Sequence, residues 1–298
     1  MGTPEFAVPS LDILVQNKFR VVAVVTAPDK PQGRGNKVVP SPVKEYANKH
    51  GIPVLQPTNL KSAEFLEKLK SFNANLQVVV AFRMLPEVVW SMPELGTINL
   101  HASLLPQYRG AAPINWAIIN GEKETGVTTF FIRHEIDTGS ILFQEKVSIY
   151  DNDTAGTLHD RLRDAGAALV LKTVKAIAMG EYSPQPQSSD TDLKKAPKIF
   201  KETCAIDWHK TNSEVINFVR GLNPYPSAWT TFNNRSFKIH RVEHSDHSGN
   251  AHKPGEWATD NKTFLRVRTT DGWLRIVELQ MEGKKRMTIA EFFRGNTL

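Results

Sequence analysis

The chain has 298 residues, of which 40% are hydrophobic and 23% are charged, and its formal net charge at pH 7 is +6. This composition is ordinary for a globular protein of roughly two domains. No run approaches the roughly 20 apolar residues of a membrane helix, and the single cysteine, Cys204, excludes an intramolecular disulfide and a multi-cysteine zinc site. The start lacks a basic segment followed by an apolar core, so we expect no signal peptide and a cytoplasmic location.

Short apolar runs alternate with helical patterns through the first part of the chain. The predicted strands are Val21–Thr26, Val78–Phe82, Thr97–Leu100, Val127–Ile132 and Ile141–Ile149. The predicted helices are Ser10–Asn17, Pro42–His50, Ser62–Ser71, Pro113–Asn120 and a long helix from Thr154 to about Met179. The first two strands are continuously apolar, as expected of parallel strands covered on both faces. The alternation predicts a doubly wound α/β domain with a mostly parallel sheet.

A polar, proline-bearing stretch at Ser183–Ser189 is typical of a linker. From about Ile199 onwards, short alternating segments are separated by turn pairs such as Asn233-Asn234. This pattern predicts a small all-β, OB-like barrel with a helix near Ser213–Arg220. The predicted organisation is therefore an α/β domain over 1–182, a linker over 183–198 and a β-barrel domain over 199–298.

Asn99 and His101 stand two residues apart at the carboxyl end of a predicted strand, so they point to the same face. Open α/β sheets bind ligands at this edge. An amide donor beside an imidazole suits stabilisation of an oxyanion, and the imidazole can also transfer protons. From spacing alone, however, a polar strand end that only satisfies backbone groups is the commoner case.

Two nearby segments are further candidates for the same site. Asp137 lies in a turn between two predicted strands, where its carboxylate can orient a histidine ring, although an ordinary turn aspartate is more frequent. Ser103–Pro106 follows the Asn99 strand directly, and its proline stiffens the chain. Such a loop can offer backbone groups to a flat heterocycle, or it can simply connect a strand to a helix.

The segment Pro28–Pro42 is basic, and it is longer than a plain connection. Its positive residues, which can contact a phosphate backbone, are Lys30, Arg34 and Lys37. A solvated surface loop explains the segment equally well. A dinucleotide-binding site is a third interpretation of this segment. We reject it because the segment lacks the third glycine of the dinucleotide-binding fingerprint and does not directly follow a strand.

Several motifs in this order resemble the methionyl-tRNA formyltransferase family over nearly the whole chain. They are Met1–Ala7, Lys30–Gly35, Asn99–Pro106, Tyr108–Ile114, Glu135–Gly139 and Gly221–Pro224. The Asn-x-His, Ser-Leu-Leu-Pro and Asp-Thr-Gly motifs together indicate a folate-dependent formyltransferase. The basic glycine loop and the β domain after the linker favour the branch of the family that acts on tRNA.

The resemblance implies acyl transfer without a metal, from 10-formyltetrahydrofolate to the α-amine of methionyl initiator tRNA. Asn99, His101 and Asp137 match the catalytic positions of the family. Asn99 and His101 are expected to hold the developing negative charge, and Asp137 is expected to position His101 and help remove the amine proton.

The resemblance also implies two binding segments. Ser103, Leu104, Leu105 and Pro106 match the segment that contacts folate. Arg34 and its neighbours Lys30 and Lys37 match the loop that engages the tRNA acceptor end, and the β-barrel domain matches the part that docks along the tRNA. By the same resemblance we expect a monomer.

The chain departs from the family pattern in two places. The family normally carries a short apolar strand before the Met-Gly-Thr-Pro motif, which begins here at Met1, so we expect a true start upstream of this residue. Arg83 stands where family members commonly have glycine, in a segment that lines the folate side.

Other functions remain open at this level. The same chemistry can serve another acceptor, such as glycinamide ribonucleotide or an amino sugar nucleotide, but the first needs no basic β domain and the second is usually fused to another enzyme. A folate hydrolase shares the catalytic motifs but lacks the tRNA loop. A nucleotide-dependent oxidoreductase would need the glycine fingerprint, which this sequence lacks. A non-catalytic RNA-binding protein would not depend on Asn99, and it would leave the pairing of the Asn-x-His and Asp-Thr-Gly motifs unexplained.

Overall fold

The computed structural model describes residues 1–32, 37–188, 192–247 and 252–298. The helices of this part of the chain are α1 Val8–Gln16, α2 Pro42–Lys49, α3 Ala63–Ser71, α4 Glu87–Trp90, α5 Pro113–Ile119, α6 Ala155–Met179, α7 Asn212–Gly221 and α8 Ile289–Phe293. The strands are β1 Val24–Val25, β2 Lys30–Gln32, β3 Lys37–Val39, β4 Val54–Leu55, β5 Gln77–Val80, β6 Thr97–His101, β7 Arg109–Gly110, β8 Glu124–Phe131, β9 Ile141–Ser148, β10 Lys195–Ala196, β11 Ala228–Phe232, β12 Arg235–Ser245, β13 Trp257–Thr259, β14 Leu265–Arg268, β15 Trp273–Met281 and β16 Met287–Thr288.

The chain divides into two compact units. The first consists of Met1–Gly110, Thr125–Ser148 and His159–Lys195, and the second of Ala111–Glu124, Ile149–Leu158 and Ala196–Leu298. In the described residues, no helix combines the length and the apolar character that crossing a membrane requires.

A four-stranded sheet with the order β5-β6-β8-β9 organises the first unit. β5 runs parallel to β6, and β6 runs antiparallel to β8. β1 and β4 form a separate parallel pair. Gly2 lies between the two groups, because its amide donates to the Val25 carbonyl at 3.0 Å and the residue forms a parallel bridge with Val80.

Helix boundaries in the first unit follow local sequence signals. Ser41 and Ser62 accept hydrogen bonds from amides of the first turns of α2 and α3, as N-caps do. Gly51 follows α2 with a φ of 65°, in the left-handed region that glycine adopts readily. The predicted strand Val21–Thr26 is too long, because only Val24 and Val25 find ladder partners on the short strand β4.

The second unit is built on an antiparallel sheet with the order β11-β12-β15-β14-β13, and β16 pairs with β15. Alternate residues of its strands fill one core, in which Phe237, Ile239 and Leu279 are fully buried. α7 begins with a capping box formed by Thr211 and Glu214. The prediction of an α/β fold followed by a small all-β fold is confirmed. The hairpin β2–β3 and the short elements α4, β13, β16 and α8 were not predicted.

Candidate active site

Strand β6 fixes the positions of Asn99 and His101 from both sides. Asn99 pairs with Val79 of β5 and with Phe130 of β8, and His101 is the last residue of the strand. Because side chains alternate along a strand, Asn99 and His101 share one face of the sheet. The side-chain amide of Asn99 is half-buried and has no hydrogen-bond partner within the described part of the chain, so it is free to donate to a ligand.

The imidazole of His101 is buried, with 7% of its surface exposed. Its Nε2 lies 2.8 Å from the carbonyl oxygen of Tyr108. A carbonyl can only accept, so the ring donates from Nε2 and the proton of the neutral imidazole resides there. Nδ1 lies 3.7 Å from Oδ2 of Asp137. Nδ1 is therefore the ring nitrogen that faces the carboxylate and that can exchange a proton.

The carboxylate of Asp137 is held by a backbone donor on the same oxygen that faces the histidine. The amide nitrogen of Gly110 donates to Oδ2 at 3.0 Å, and 14% of the side chain is exposed. Asp137 has a φ of 56°, a left-handed conformation that aspartate and asparagine tolerate better than most residues. The loop thus aims the carboxylate inward, towards His101.

The structure brings together His101 and Asp137, which the sequence placed far apart, and it leaves Asn99 on the same face of β6. Sequence reasoning missed the Tyr108 carbonyl, the Gly110 amide and the side chain of Gln187, whose amide contacts the Asp137 loop. The first two are backbone groups, for which residue type gives no signal. Gln187 fell within the segment assigned as a linker.

Two of the four residues of the predicted folate segment are buried. Ser103 is fully buried and Leu105 is 3% exposed, whereas Leu104 and Pro106 are half-buried. The hydroxyl of Ser103 donates to the Gln107 carbonyl at 2.6 Å. Side chains that could reach a ligand directly are consequently those of Leu104 and Pro106.

Thr128 of β8 holds this segment in place. Its hydroxyl, fully buried, donates to the Ser103 carbonyl at 2.6 Å and accepts from the Leu105 amide at 3.2 Å. Gln144 of β9 donates to the same hydroxyl at 2.9 Å and to the Leu105 carbonyl at 2.9 Å. These bonds satisfy buried backbone groups, so the path of the segment is fixed by the strands behind it.

The basic segment forms an antiparallel hairpin of β2 and β3. Lys30 begins β2 and is exposed, Lys37 begins β3, and Arg34 lies outside the described residues. At the base of the hairpin, Lys44 donates to Asp29 Oδ2 at 2.5 Å and Gln56 donates to Asp29 Oδ1 at 2.7 Å. The hydrogen bond from Lys44, followed by that from Gln56, lowers the pKa of Asp29.

Arg83, the departure from the family pattern, extends over a neighbouring loop. Its guanidinium donates to the carbonyl of Thr58 at 3.0 Å and to the carbonyl of Pro57. An arginine at this position therefore ties the chain after β5 to the segment after β4.

Comparison with known proteins places this chain in a class. Residues 1–174 match the formyl transferase family and residues 198–297 match the formyl transferase C-terminal domain family. The chain is 52% identical to the methionyl-tRNA formyltransferase of Bacteroides fragilis over 302 residues, covering 99% of this chain and 93% of the relative. It is 54% identical to the corresponding protein of Phocaeicola vulgatus, covering 99% and 94%. The chain belongs to the methionyl-tRNA formyltransferase family, which confirms the resemblance inferred from its motifs.

Solved structures agree with the fold. The sugar 3N-formyl transferase WlaRD, solved in the presence of dTDP and 5-N-formyl-THF, superposes with a TM-score of 0.68 at 22% identity and covers 95% of this chain and 97% of that one. The N-formyltransferase of Helicobacter canadensis, in complex with folinic acid and dTDP-3-aminofucose, gives a TM-score of 0.65 at 21% identity, covering 96% and 97%. At these identities the likeness concerns the fold.

Proposed function

We propose that this chain transfers the formyl group of 10-formyltetrahydrofolate to the α-amine of methionyl initiator tRNA. The observation that carries the proposal is the placement of His101 Nδ1 3.7 Å from Asp137 Oδ2, at the end of the strand that also holds Asn99, in a chain of this family. Relatives that share half of its residues over almost their full length carry the name of this activity.

The reaction is an acyl transfer between two nitrogens. The neutral amine of the methionyl group attacks the formyl carbon, so a C–N bond forms and the carbonyl oxygen becomes an oxyanion. The bond from carbon to N10 of the folate then breaks. One proton leaves the attacking amine and one is taken up by N10, so the step needs an oxyanion donor and a proton carrier.

The geometry suits a division of these tasks. Among the described residues the side-chain amide of Asn99 has no hydrogen-bond partner, which makes it the best donor to the oxyanion. His101 already donates from Nε2 to the Tyr108 carbonyl, so its exchangeable position is Nδ1, next to Asp137. His101 and Asp137 therefore act as the pair that receives the amine proton, and Asp137 stabilises the imidazolium that forms. This differs from the role expected from the motifs, in which His101 shares the oxyanion with Asn99, because the Nε2 proton of His101 is already donated to the Tyr108 carbonyl.

We also propose the roles of the larger segments. Residues 1–182 carry the chemistry, with Leu104 and Pro106 of the folate segment facing the co-substrate. Lys30, Arg34 and Lys37 contact the acceptor end of the tRNA, and residues 199–298, beyond a linker over 183–198, dock along it. Lys30 is exposed on a hairpin whose base is held by Asp29 and Lys44, which suits a phosphate contact.

The test is a direct assay with purified protein, charged initiator tRNA and 10-formyltetrahydrofolate. Formylated methionyl-tRNA is expected, and elongator tRNA, uncharged tRNA and a dTDP-amino sugar are expected to be poor acceptors. Formylation of the amino sugar in preference to the tRNA would reject the proposed acceptor, and no product from either would reject the transfer itself.

Three variants separate chemistry from tRNA binding. His101→Ala should abolish turnover with little loss of tRNA affinity, whereas Lys30→Ala and Arg34→Ala should mainly raise the KM for tRNA. Lys49→Ala serves as the control, because Lys49 is an exposed lysine at the end of α2. A loss of tRNA affinity of equal size in His101→Ala and Lys30→Ala would contradict this division.

A further inference from the structure

The side-chain amide of Gln187 contacts the loop that carries Asp137. Its Nε2 donates to the carbonyl oxygen of Asp137 at 2.8 Å and to that of Gly139 at 2.8 Å. The two bonds use both N–H groups of the amide. They act on the backbone on either side of Thr138, so they hold the loop in the conformation that gives Asp137 its positive φ.

The other end of the same amide binds Arg109. Oε1 of Gln187 accepts from Arg109 Nε at 3.0 Å and from Arg109 Nη2 at 2.5 Å. Arg109 precedes Gly110, whose amide donates to the Asp137 carboxylate. Gln187 therefore links the backbone of Asp137 to the segment that holds its side chain, with every hydrogen-bonding position of the amide in use.

The backbone around Gln187 is itself fixed. Gln185 forms an antiparallel bridge with Ile141, the first residue of β9. The Ile141 amide donates to the Gln185 carbonyl at 2.7 Å, and the Gln185 amide donates to the Ile141 carbonyl at 2.8 Å. The side chain of Gln187 thus extends from a strand-like anchor two residues away, which gives it a defined direction towards the loop.

We propose that Gln187 is a positioning residue for Asp137, and through Asp137 for His101; this assignment rests on the proposed function. The hydrogen bonds of the Gln187 side chain in the described structure go to Arg109 and to two loop carbonyls, not to the carboxylate or the imidazole. It determines where the carboxylate stands, because it fixes the loop backbone relative to Arg109 and Gly110. A misplacement of about 1 Å in a catalytic group can cost on the order of 10²-fold in rate.

The test uses the full chain in the formyl-transfer assay, with Gln187→Glu and Gln187→Met. Glutamate keeps an acceptor for Arg109 but turns a second oxygen towards two carbonyls, and methionine keeps the length while removing every hydrogen bond. The matched control is Gln185→Met, because within the described residues the side chain of Gln185 hydrogen-bonds only with Ser183, while its backbone makes the bridge.

We expect both Gln187 variants to lower kcat by about 10- to 100-fold, with unchanged KM for folate and tRNA, and the control to keep full kcat. In an Asp137→Asn background, Gln187→Met should cause little further loss, because residues that act through one group are not additive. A merely structural role would lower the activity equally in both backgrounds.

The outcomes separate the two proposals. An active wild-type chain whose Gln187→Met variant keeps its kcat, or loses the same factor with and without the Asp137 carboxylate, overturns the positioning role and leaves the proposed function standing. A wild-type chain without formyl transfer rejects the proposed function and this role with it. If the thermal unfolding temperature of Gln187→Met equals that of the wild type, misfolding is excluded as the cause of a lowered kcat.

Discussion

The amide nitrogen of Gly110 donates a hydrogen bond of 3.0 Å to Oδ2 of Asp137, the same oxygen that lies 3.7 Å from Nδ1 of His101. One carboxylate oxygen is thereby shared by a backbone donor and the imidazole. The backbone donor keeps this oxygen from rotating away, so the carboxylate stays beside the ring. The orientation of the proposed proton-handling pair consequently depends on the backbone at Gly110.

Gly110→Ala should impair both stability and turnover. Gly110 has a φ of 124°, a region that residues with a Cβ rarely adopt, so alanine is expected to cost about 1–3 kcal/mol and to shift the amide away from Asp137. The free energy of unfolding and kcat are the measurements. Gly295→Ala is the control, because a Cβ there meets open space and φ is not positive. Unchanged kcat in Gly110→Ala would show that this hydrogen bond is dispensable.

Asp137→Asn should lower kcat strongly while leaving the fold intact. Asparagine tolerates the positive φ of this position and is close in size, so the loop is preserved and only the charge beside His101 is lost. Loss of a proton-transfer group typically costs about 10²- to 10⁴-fold in rate. Glu135→Gln removes a carboxylate from the exposed part of the same loop and should be silent. Equal losses in the two variants would point to the charge of the loop as a whole.

Asn99→Ala should reduce kcat by about 10²- to 10³-fold, the usual consequence of losing one oxyanion donor. The amide of Asn99 has no partner within the described residues, so its removal leaves no buried group unsatisfied and the thermal unfolding temperature should change little. Asn48→Ala, at an exposed position of α2, is the control. A variant with a raised KM for folate and an unchanged kcat would assign Asn99 to ground-state binding instead.

Two threonines of β8 give a matched pair for stability. Thr128→Val removes the hydroxyl that the Ser103 carbonyl and the Leu105 amide need, so we expect a loss of about 1–3 kcal/mol in the free energy of unfolding. Thr125 is also buried, but its hydroxyl finds no hydrogen-bond partner in the part of the chain that the structure describes, so Thr125→Val should be neutral or stabilising. Urea unfolding measures both. A larger loss in Thr125→Val than in Thr128→Val would contradict the role of the Thr128 hydroxyl.

The network at the base of the basic hairpin should make stability depend on pH in the acid range. Lys44 and Gln56 lower the pKa of Asp29 from its ordinary value of 3.8, so the folded state binds the proton less readily than the unfolded state. The stabilisation is therefore present above the ordinary pKa and is lost as the pH falls through the lowered one. We expect the stability difference between wild type and Asp29→Asn, measured by thermal unfolding, to shrink below pH 3.8. A difference that stays constant into strong acid would exclude this linkage.

Local signals allowed most of the large elements to be predicted. α2 was predicted at Pro42–His50, with Gly51 at its end, and it spans Pro42–Lys49; the structure adds that Ser41 caps its start. The long helix α6 ends at Met179 as expected. Both patterns involve residues close in sequence, where a cap or an apolar stripe is visible in the order of the residues.

The small elements were not predicted because they form only by pairing with strands elsewhere in the chain. β10 exists only where it pairs with β7, and β16 only where it pairs with β15. Two residues carry no periodicity, so their pattern cannot be distinguished from a loop. The hairpin β2–β3 was not predicted either, because the glycine and proline in its segment are equally typical of a solvated loop.

The sequence by itself determined the family, the α/β and all-β parts, and the side-chain types of the site: the amide of Asn99, the imidazole of His101 and the carboxylate of Asp137. Only the tertiary structure decided which ring nitrogen faces the carboxylate and which groups hold the pair. Those groups include the Tyr108 carbonyl and the Gly110 amide. Every residue but proline offers the same backbone donor and acceptor, so residue order alone does not reveal which ones meet a distant side chain.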